Sequence, residues 1–308
     1  MQESKPNFML IGAARSGTTA IARFLEQHPE VFVCDPKEPH FLALGKSDTE
    51  FKGPGDELMM NRVLVRDVDE YSKLFLPDRP CKAIGEGSVS TLYYAQESIP
   101  AIKEHASSAK LIAVLRNPID RAYSSFMYTT SRGFEPLEDF EQALDEEPNR
   151  IEQDWHHIWH YTQMGFYTSQ LEAFFEQFDR QQIKIVLFDD FQAKPAEVLS
   201  DLFQFLGVDS AFQPDVNAEV NRSGVPRNRI IGGAINFVYR QWYLKNMLKA
   251  IIPPSMRDSI RNASLSRPAM SSRAYARLSE LYSEEITSLS KLLDRDLTAW
   301  LENETVAG

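Results

Sequence analysis

Short apolar runs alternate along this chain with longer amphipathic stretches. "FMLIG" (8–12) is a compact run of the buried-strand kind, and "TTAIARFLEQH" (18–28) follows it with helical periodicity up to Pro29. "VFVC" (31–34) and "KAIGEG" (82–87) are shorter strand candidates, while "KLIAVL" (110–115) is a stronger one with helical-looking sequence on both sides. "QIKIVLF" (182–188) comes after the amphipathic "YTSQLEAFFEQF" and before "PAEVLSDLFQFLGV" (195–208), in which Gly207 is a helix stop. Strands alternating with helices predict parallel βαβ units. The expected class is therefore α/β, a three-layer sandwich with a central parallel sheet flanked by helices.

Two regions break the alternation. Gly45–Arg66 is rich in Gly, Asp and Lys and reads as an insertion or loop. Phe134–Gln163 is acidic and aromatic and reads as partly helical. After Asn217 the chain turns polar and basic, then closes with helices expected around 237–250 and 272–301. No internal repeat or low-complexity linker divides the chain, so residues 1–308 are read as one domain.

Composition narrows the class. Apolar content of 43% with 25% charged residues is ordinary for a globular chain able to bury a sizeable core. No apolar run approaches the ~20 residues of a membrane span, and the N-terminus lacks the pattern of a signal peptide. Cys34 and Cys81 make no disulfide framework and fit a reducing cytoplasm. A net charge of −11 argues against nucleic acid as a partner, because long-range steering would repel it. A local basic pocket is still compatible with that total.

The chemistry begins after the first strand, at "LIGAARSGTTAIARFLEQHP" (10–29). Gly12 and Gly17 have the spacing of the phosphate loop G-x-x-x-x-G-K-S/T, but Thr18 stands where the lysine should be. The basic residue lies upstream, as Arg15. Strand, glycine turn and helix start still gather backbone N–H groups at the positive end of a helix dipole. Ser16, Gly17, Thr18 and Thr19 are the residues placed to donate there, with Arg15 as the cation. Without the lysine that grips β- and γ-phosphates, triphosphate hydrolysis is disfavoured.

A second signal is "LIAVLRNPIDRAYSSFMY" (111–128). Asn117, Pro118 and Asp120 are accounted for as helix-start chemistry. That leaves Arg116, at a strand's carboxyl end where α/β folds place ligands, and Ser124. A third segment, "NRSGVPRNR" (221–229), is a basic Gly-Pro loop.

These segments together resemble the PAPS-dependent sulfotransferases, whose 5′-phosphosulfate loop reads K/R-S/T-G-T-T after the first strand. The resemblance implies a P-loop-like fold and transfer of a sulfuryl group from PAPS to a hydroxyl or amine, with PAP released. It implies that Arg116 and Ser124 grip the 3′-phosphate, and that Arg222, Ser223, Gly224 and Arg227 belong to a loop closing over the nucleotide. "PKEPHFL" (36–42) is similar to the K-E-x-H-F-F segment of the heparan-type members, in which the glutamate is the base. Glu38 matches that position, with His40 as the local rival. "IGEGS" (84–88) resembles their E-K-S/T segment, but Gly87 replaces the lysine, so Glu86 is a weaker third candidate.

"DWHHIWHY" (154–161) places His156 and His160 four apart, as if on one helix face. Lacking the glutamate of H-E-x-x-H, it is read as packing or pocket lining, and no metal is expected. "IVLFDD" has the look of a metal-binding strand but is read as a strand end. Two other classes stay open: a P-loop kinase or NTPase, and a nucleotide-holding module without turnover. The acceptor is a small molecule, sugar or lipid that the sequence does not specify.

Overall fold

Five strands, β1 (Phe8–Gly12), β2 (Val31–Val33), β3 (Ala83–Glu86), β4 (Lys110–Leu115) and β5 (Ile183–Leu187), form one sheet in the order β2-β3-β1-β4-β5. All four pairings are parallel. The computed structural model describes residues 5–216, 225–226, 265–266 and 268–302. Alternation within the central strands divides the interior into two cores. Phe8, Leu10, Ile112 and Val114 face one, and Met9, Ile11, Leu111, Ala113 and Leu115 face the other. Both cores are buried because both sheet faces are covered by helices, as an all-parallel sheet requires.

Helices α1 (Thr18–Glu26) and α5 (Pro195–Leu206) cover the first face. Helices α2 (Ala95–Ala106), α3 (Pro118–Ser131), α4 (Tyr167–Gln177) and α6 (Ser272–Leu293) cover the second. The chain leaves β1 through α1 on one face and leaves β4 through α3 on the other. Their carboxyl ends therefore open a crevice, where α/β sheets bind ligands. Among the described residues, no helix is long and apolar enough to cross a membrane.

Two expectations need correction, and a third lies outside the described residues. The segment 45–66 is not a bare insertion: Phe51, Met60 and Leu64 pack with Ala43 and Leu44, and Glu57–Asn61 forms a π-helical turn. Its anchor is Asp56, fully buried, whose carboxylate accepts hydrogen bonds from Gly53 N, His156 N, His156 Nδ1 and Trp159 Nε1. The polar composition that reads as loop here supplies an interior acceptor. The closing helix ends at Leu293, where Asp294 turns left-handed at φ 50°, and Thr298–Leu301 follows as a separate 3-10 turn. That turn is docked by Trp300 Nε1, which donates to Asp189 Oδ2 at 2.7 Å, while Arg295 pairs with Asp190. The two aspartates thus serve packing just beyond the β5 end. The helix expected over 237–250 lies outside the described residues.

Candidate active site

The loop from Ala13 to Gly17 turns through two left-handed residues, Arg15 at φ 67° and Gly17 at φ 88°. Gly17 is needed twice over, since a Cβ there would also meet the Phe188 ring at 2.8 Å. It precedes α1, whose first N–H groups have no side-chain cap. Ser16 is fully buried, and its Oγ has no hydrogen-bond partner among the described residues, with the Tyr167 hydroxyl beside it. Thr18 is buried and Thr19 exposed. An orphaned hydroxyl and uncapped backbone donors at one helix start suit an anion.

The arginine side chain reaches out of this loop. Arg15 Nε donates to Ser124 Oγ at 3.4 Å, and its guanidinium lies over the Tyr128 ring at 4.4 Å. Arg132 lies over the same ring at 3.7 Å. From the end of β4, Arg116 Nη1 donates to Arg15 O at 3.2 Å and its guanidinium covers Phe188 at 5.1 Å. The Tyr167 hydroxyl holds the Arg116 carbonyl at 3.0 Å. Asn117 caps α3 as the sequence predicts, accepting from Ile119 N at 3.0 Å, so Ser124 and Tyr128 fall one turn apart on the helix facing the loop. Arg15, Arg116 and Ser124, separate in sequence, are thus one group.

Arg121 joins this charge, and the sequence reading missed it. It is fully buried, donating to Ser125 Oγ and the Tyr161 carbonyl, while its Nε has no partner among the described residues. Burial pushes the Arg15 pKa down to about 10, Tyr128 opposes this, and Arg132, Arg116 and Arg121 push further in the same direction. Arginines that repel one another in a dry setting are stabilised by an anion placed among them. The spacing of Arg121 from Ser125, one helical turn, was the signal available.

On the other side of the loop, the end of β3 and the segment after β2 are cross-tied. Gly87 N donates to Lys37 O at 3.0 Å, and Lys37 Nζ donates back to Gly87 O at 2.7 Å. Lys37 Nζ also holds Glu38 Oε1 at 2.9 Å, and the other carboxylate oxygen faces His40 Nε2 at 3.7 Å. Burial works to raise the Glu38 pKa, but the Lys37 and His40 charges and the Lys37 hydrogen bond outweigh it and hold the carboxyl below its usual range. The Glu38 side chain keeps 30% of its surface exposed.

His40 is left-handed at φ 54° and 4% exposed. Its N–H donates to Ser88 Oγ at 3.1 Å, and its Nδ1 meets Ser90 Oγ at 2.8 Å. Burial pushes its pKa down to about 4, so its ring is neutral at ordinary pH. Glu86 is 1% exposed, its two oxygens taken by the Tyr71 and Ser88 hydroxyls. Burial pushes its pKa up to about 7 against those two bonds. Glu86 therefore faces the interior and supports His40 through Ser88.

The histidine segment departs from expectation. Residues 157–159 form a 3-10 turn, and His156 is extended before it, so His156 and His160 do not share a helix face. His156 Nδ1 meets Asp56 Oδ1 at 2.6 Å, and His160 Nδ1 meets the Tyr93 hydroxyl at 2.7 Å. His157 packs beside His40 at 5.8 Å between ring centroids. Arg222, Ser223, Gly224 and Arg227 lie outside the described residues.

The chain is similar to known proteins along most of its length. The sulfotransferase domain model matches residues 5–224. A crystal structure of a sulfotransferase from Alicyclobacillus acidocaldarius superposes with a TM-score of 0.77 at 30% identity, covering 97% of this chain and 99% of that one. A bifunctional heparan sulfate N-deacetylase/N-sulfotransferase 1 of Caenorhabditis briggsae is 26% identical over 216 residues, 67% of this chain and 23% of its own length. Heparan sulfate glucosamine 3-O-sulfotransferase 3B1 of Mus musculus is 26% identical over 206 residues, 66% of this chain and 46% of its own length. The chain thus spans less than half the length of either curated relative. It belongs to the sulfotransferase family.

Proposed function

We propose that residues 1–308 act as one unit that moves the sulfuryl group of PAPS onto a hydroxyl or amine of a sugar acceptor. The 5′-phosphosulfate end fits the loop from Arg15 to Thr19, where the buried Ser16 hydroxyl and the uncapped α1 N–H groups await acceptors of their hydrogen bonds. The 3′-phosphate fits Arg116 and Ser124. Arg15 touches Ser124 and belongs to the loop, so it serves both ends of the nucleotide. Bound PAPS supplies an electrophilic sulfur whose bond to the phosphate oxygen breaks as the acceptor bond forms. The protein's part is to bind, orient and neutralise charge. Arg222, Ser223, Gly224 and Arg227 are proposed to close over the nucleotide.

Glu38 takes the acceptor's proton. The carrying observation is its geometry: a partly exposed carboxylate held below its usual range, with Lys37 Nζ on Oε1 and the His40 ring 3.7 Å from Oε2. His40 is buried and engaged by Ser90, which supports a positioning role in place of the base. The sugar class rests on the relatives that act on heparan sulfate glucosamine. The unpaired thiols Cys34 and Cys81 support a cytoplasmic setting.

Radiolabelled PAPS offered with glucosamine, N-desulfated heparan sulfate oligosaccharides and a simple phenol tests this. Label transfer to the sugars is expected, and transfer to the phenol alone would overturn the acceptor class.

A further inference from the structure

We infer that Lys37 is the positioning residue of the acceptor side: its ammonium stands in the space a side chain at position 87 would fill, and from there it fixes Glu38. The inference rests on the reading of Glu38 as the base. A Cβ added to Gly87 would meet Lys37 Cε at 2.9 Å and Nζ at 3.1 Å. Gly87 does not occupy the left-handed region, so its backbone would accept another residue; the lysine is the nearest obstacle, with Leu10 Cβ next at 3.4 Å. The cation that a lysine at 87 would bring to this spot arrives instead from the neighbouring segment. It is held there by the Gly87 carbonyl at 2.7 Å and by Glu38 Oε1 at 2.9 Å.

The consequence for the base follows from which neighbours carry charge. Glu38 is faced by Lys37 and His40 from its own segment and by Glu86 from β3, and His156 and His157 stand behind His40. His40 is neutral above about pH 4. At neutral pH the Lys37 ammonium is then the cation in contact with the carboxylate. It engages Oε1, keeps the group ionised and fixes its rotamer, leaving Oε2 to accept the acceptor's proton. A bound carboxylate is a weaker base, but one already aimed loses less freedom when it reacts.

The test reads the Glu38 carboxyl directly, by NMR titration of isotope-labelled glutamate in the full chain with PAP bound. The signal is assigned by its loss in Glu38→Gln. Lys37→Met should raise the Glu38 midpoint by about one pH unit or more, the usual effect of removing an adjacent opposite charge. Lys37→Arg should keep it low. Gly87→Lys alone should lower the melting temperature, because two side chains compete for one space. The double variant Lys37→Ala/Gly87→Lys should melt near the wild type and return the midpoint, since the ammonium comes back from the other side. PAP affinity by calorimetry should stay within about twofold throughout. An unmoved midpoint in Lys37→Met, or a double variant whose midpoint stays raised, overturns the inference. Failure of the base reading shows separately, as full turnover in Glu38→Gln.

Discussion

Arg15 Nε lies 3.4 Å from Ser124 Oγ, joining the loop after β1 to the helix after β4 through one hydrogen bond. The two residues are 109 positions apart, and Arg15 also lies over the Tyr128 ring and gives its carbonyl to Arg116. If both grip one nucleotide, their effects cannot be independent. Arg15→Ala should lower turnover by about 10²–10³-fold, the usual cost of a lost transition-state donor. Its PAP affinity should change less, because PAP has no sulfuryl group. Ser124→Ala should weaken PAP binding, and the double variant should cost less than the two single losses summed. Costs that add within about 0.5 kcal/mol would mean the contact couples nothing.

Arg116 carries the choice of nucleotide. Its guanidinium is fixed over Phe188 and against the Arg15 carbonyl, so little ordering remains when a phosphate arrives. A charge-assisted hydrogen bond is worth about 1.5–3 kcal/mol. Calorimetry should therefore find PAP binding at least about tenfold tighter than 5′-AMP, and Arg116→Ala should remove most of that difference. Equal affinities in the wild type would refute the 3′-phosphate assignment.

Much of this was legible in the sequence. β1 and β4 appear at their expected bounds, Gly207 ends α5 at φ 81°, and Asn117 and Pro118 begin α3, because these features are local. What stayed hidden depends on long-range burial. Asp56 looks like a loop aspartate until His156 and Trp159, about a hundred residues on, donate to it. Arg121 looks like a solvated helix charge until the chain at Tyr161, forty residues on, closes over it and accepts from its guanidinium. His40 illustrates the same limit in its titration. A histidine base near its reference pKa would give an acid limb near pH 6.5, but burial moves the ring to about 4.

That shift changes how the base is tested. With Glu38 below the usual carboxylate range and His40 near 4, either base gives a limb well below neutrality. Variants decide instead of the pH profile. Glu38→Gln should keep PAP affinity and lose about 10²–10⁴ in rate. His40→Ala should lose less, through looser placement of Glu38. Collapse in His40→Ala with full activity in Glu38→Gln would transfer the role to the histidine.

Glu86 gives a prediction about stability that needs no acceptor. Its carboxyl is buried and its pKa stands near 7 against an ordinary 4.5, so the folded protein holds this proton more tightly than the unfolded chain does. A group raised in this way contributes stability fully below the unfolded value, and loses it as pH rises through the folded one. The window is therefore about pH 4.5 to 7, with the loss complete by about pH 8. Each pKa unit is about 1.4 kcal/mol, which puts the upper bound on the order of 3 kcal/mol. Glu86→Gln removes the titration while keeping a polar group between Tyr71 and Ser88, whose hydroxyls can rotate to meet it. Denaturant unfolding of both proteins at pH 5 and pH 8 checks this. The variant should gain on the wild type as pH rises, by roughly 1–3 kcal/mol between those points. A difference that stays constant with pH would mean that Glu86 is ionised in the folded protein, with its charge met by Lys37 and the two hydroxyls.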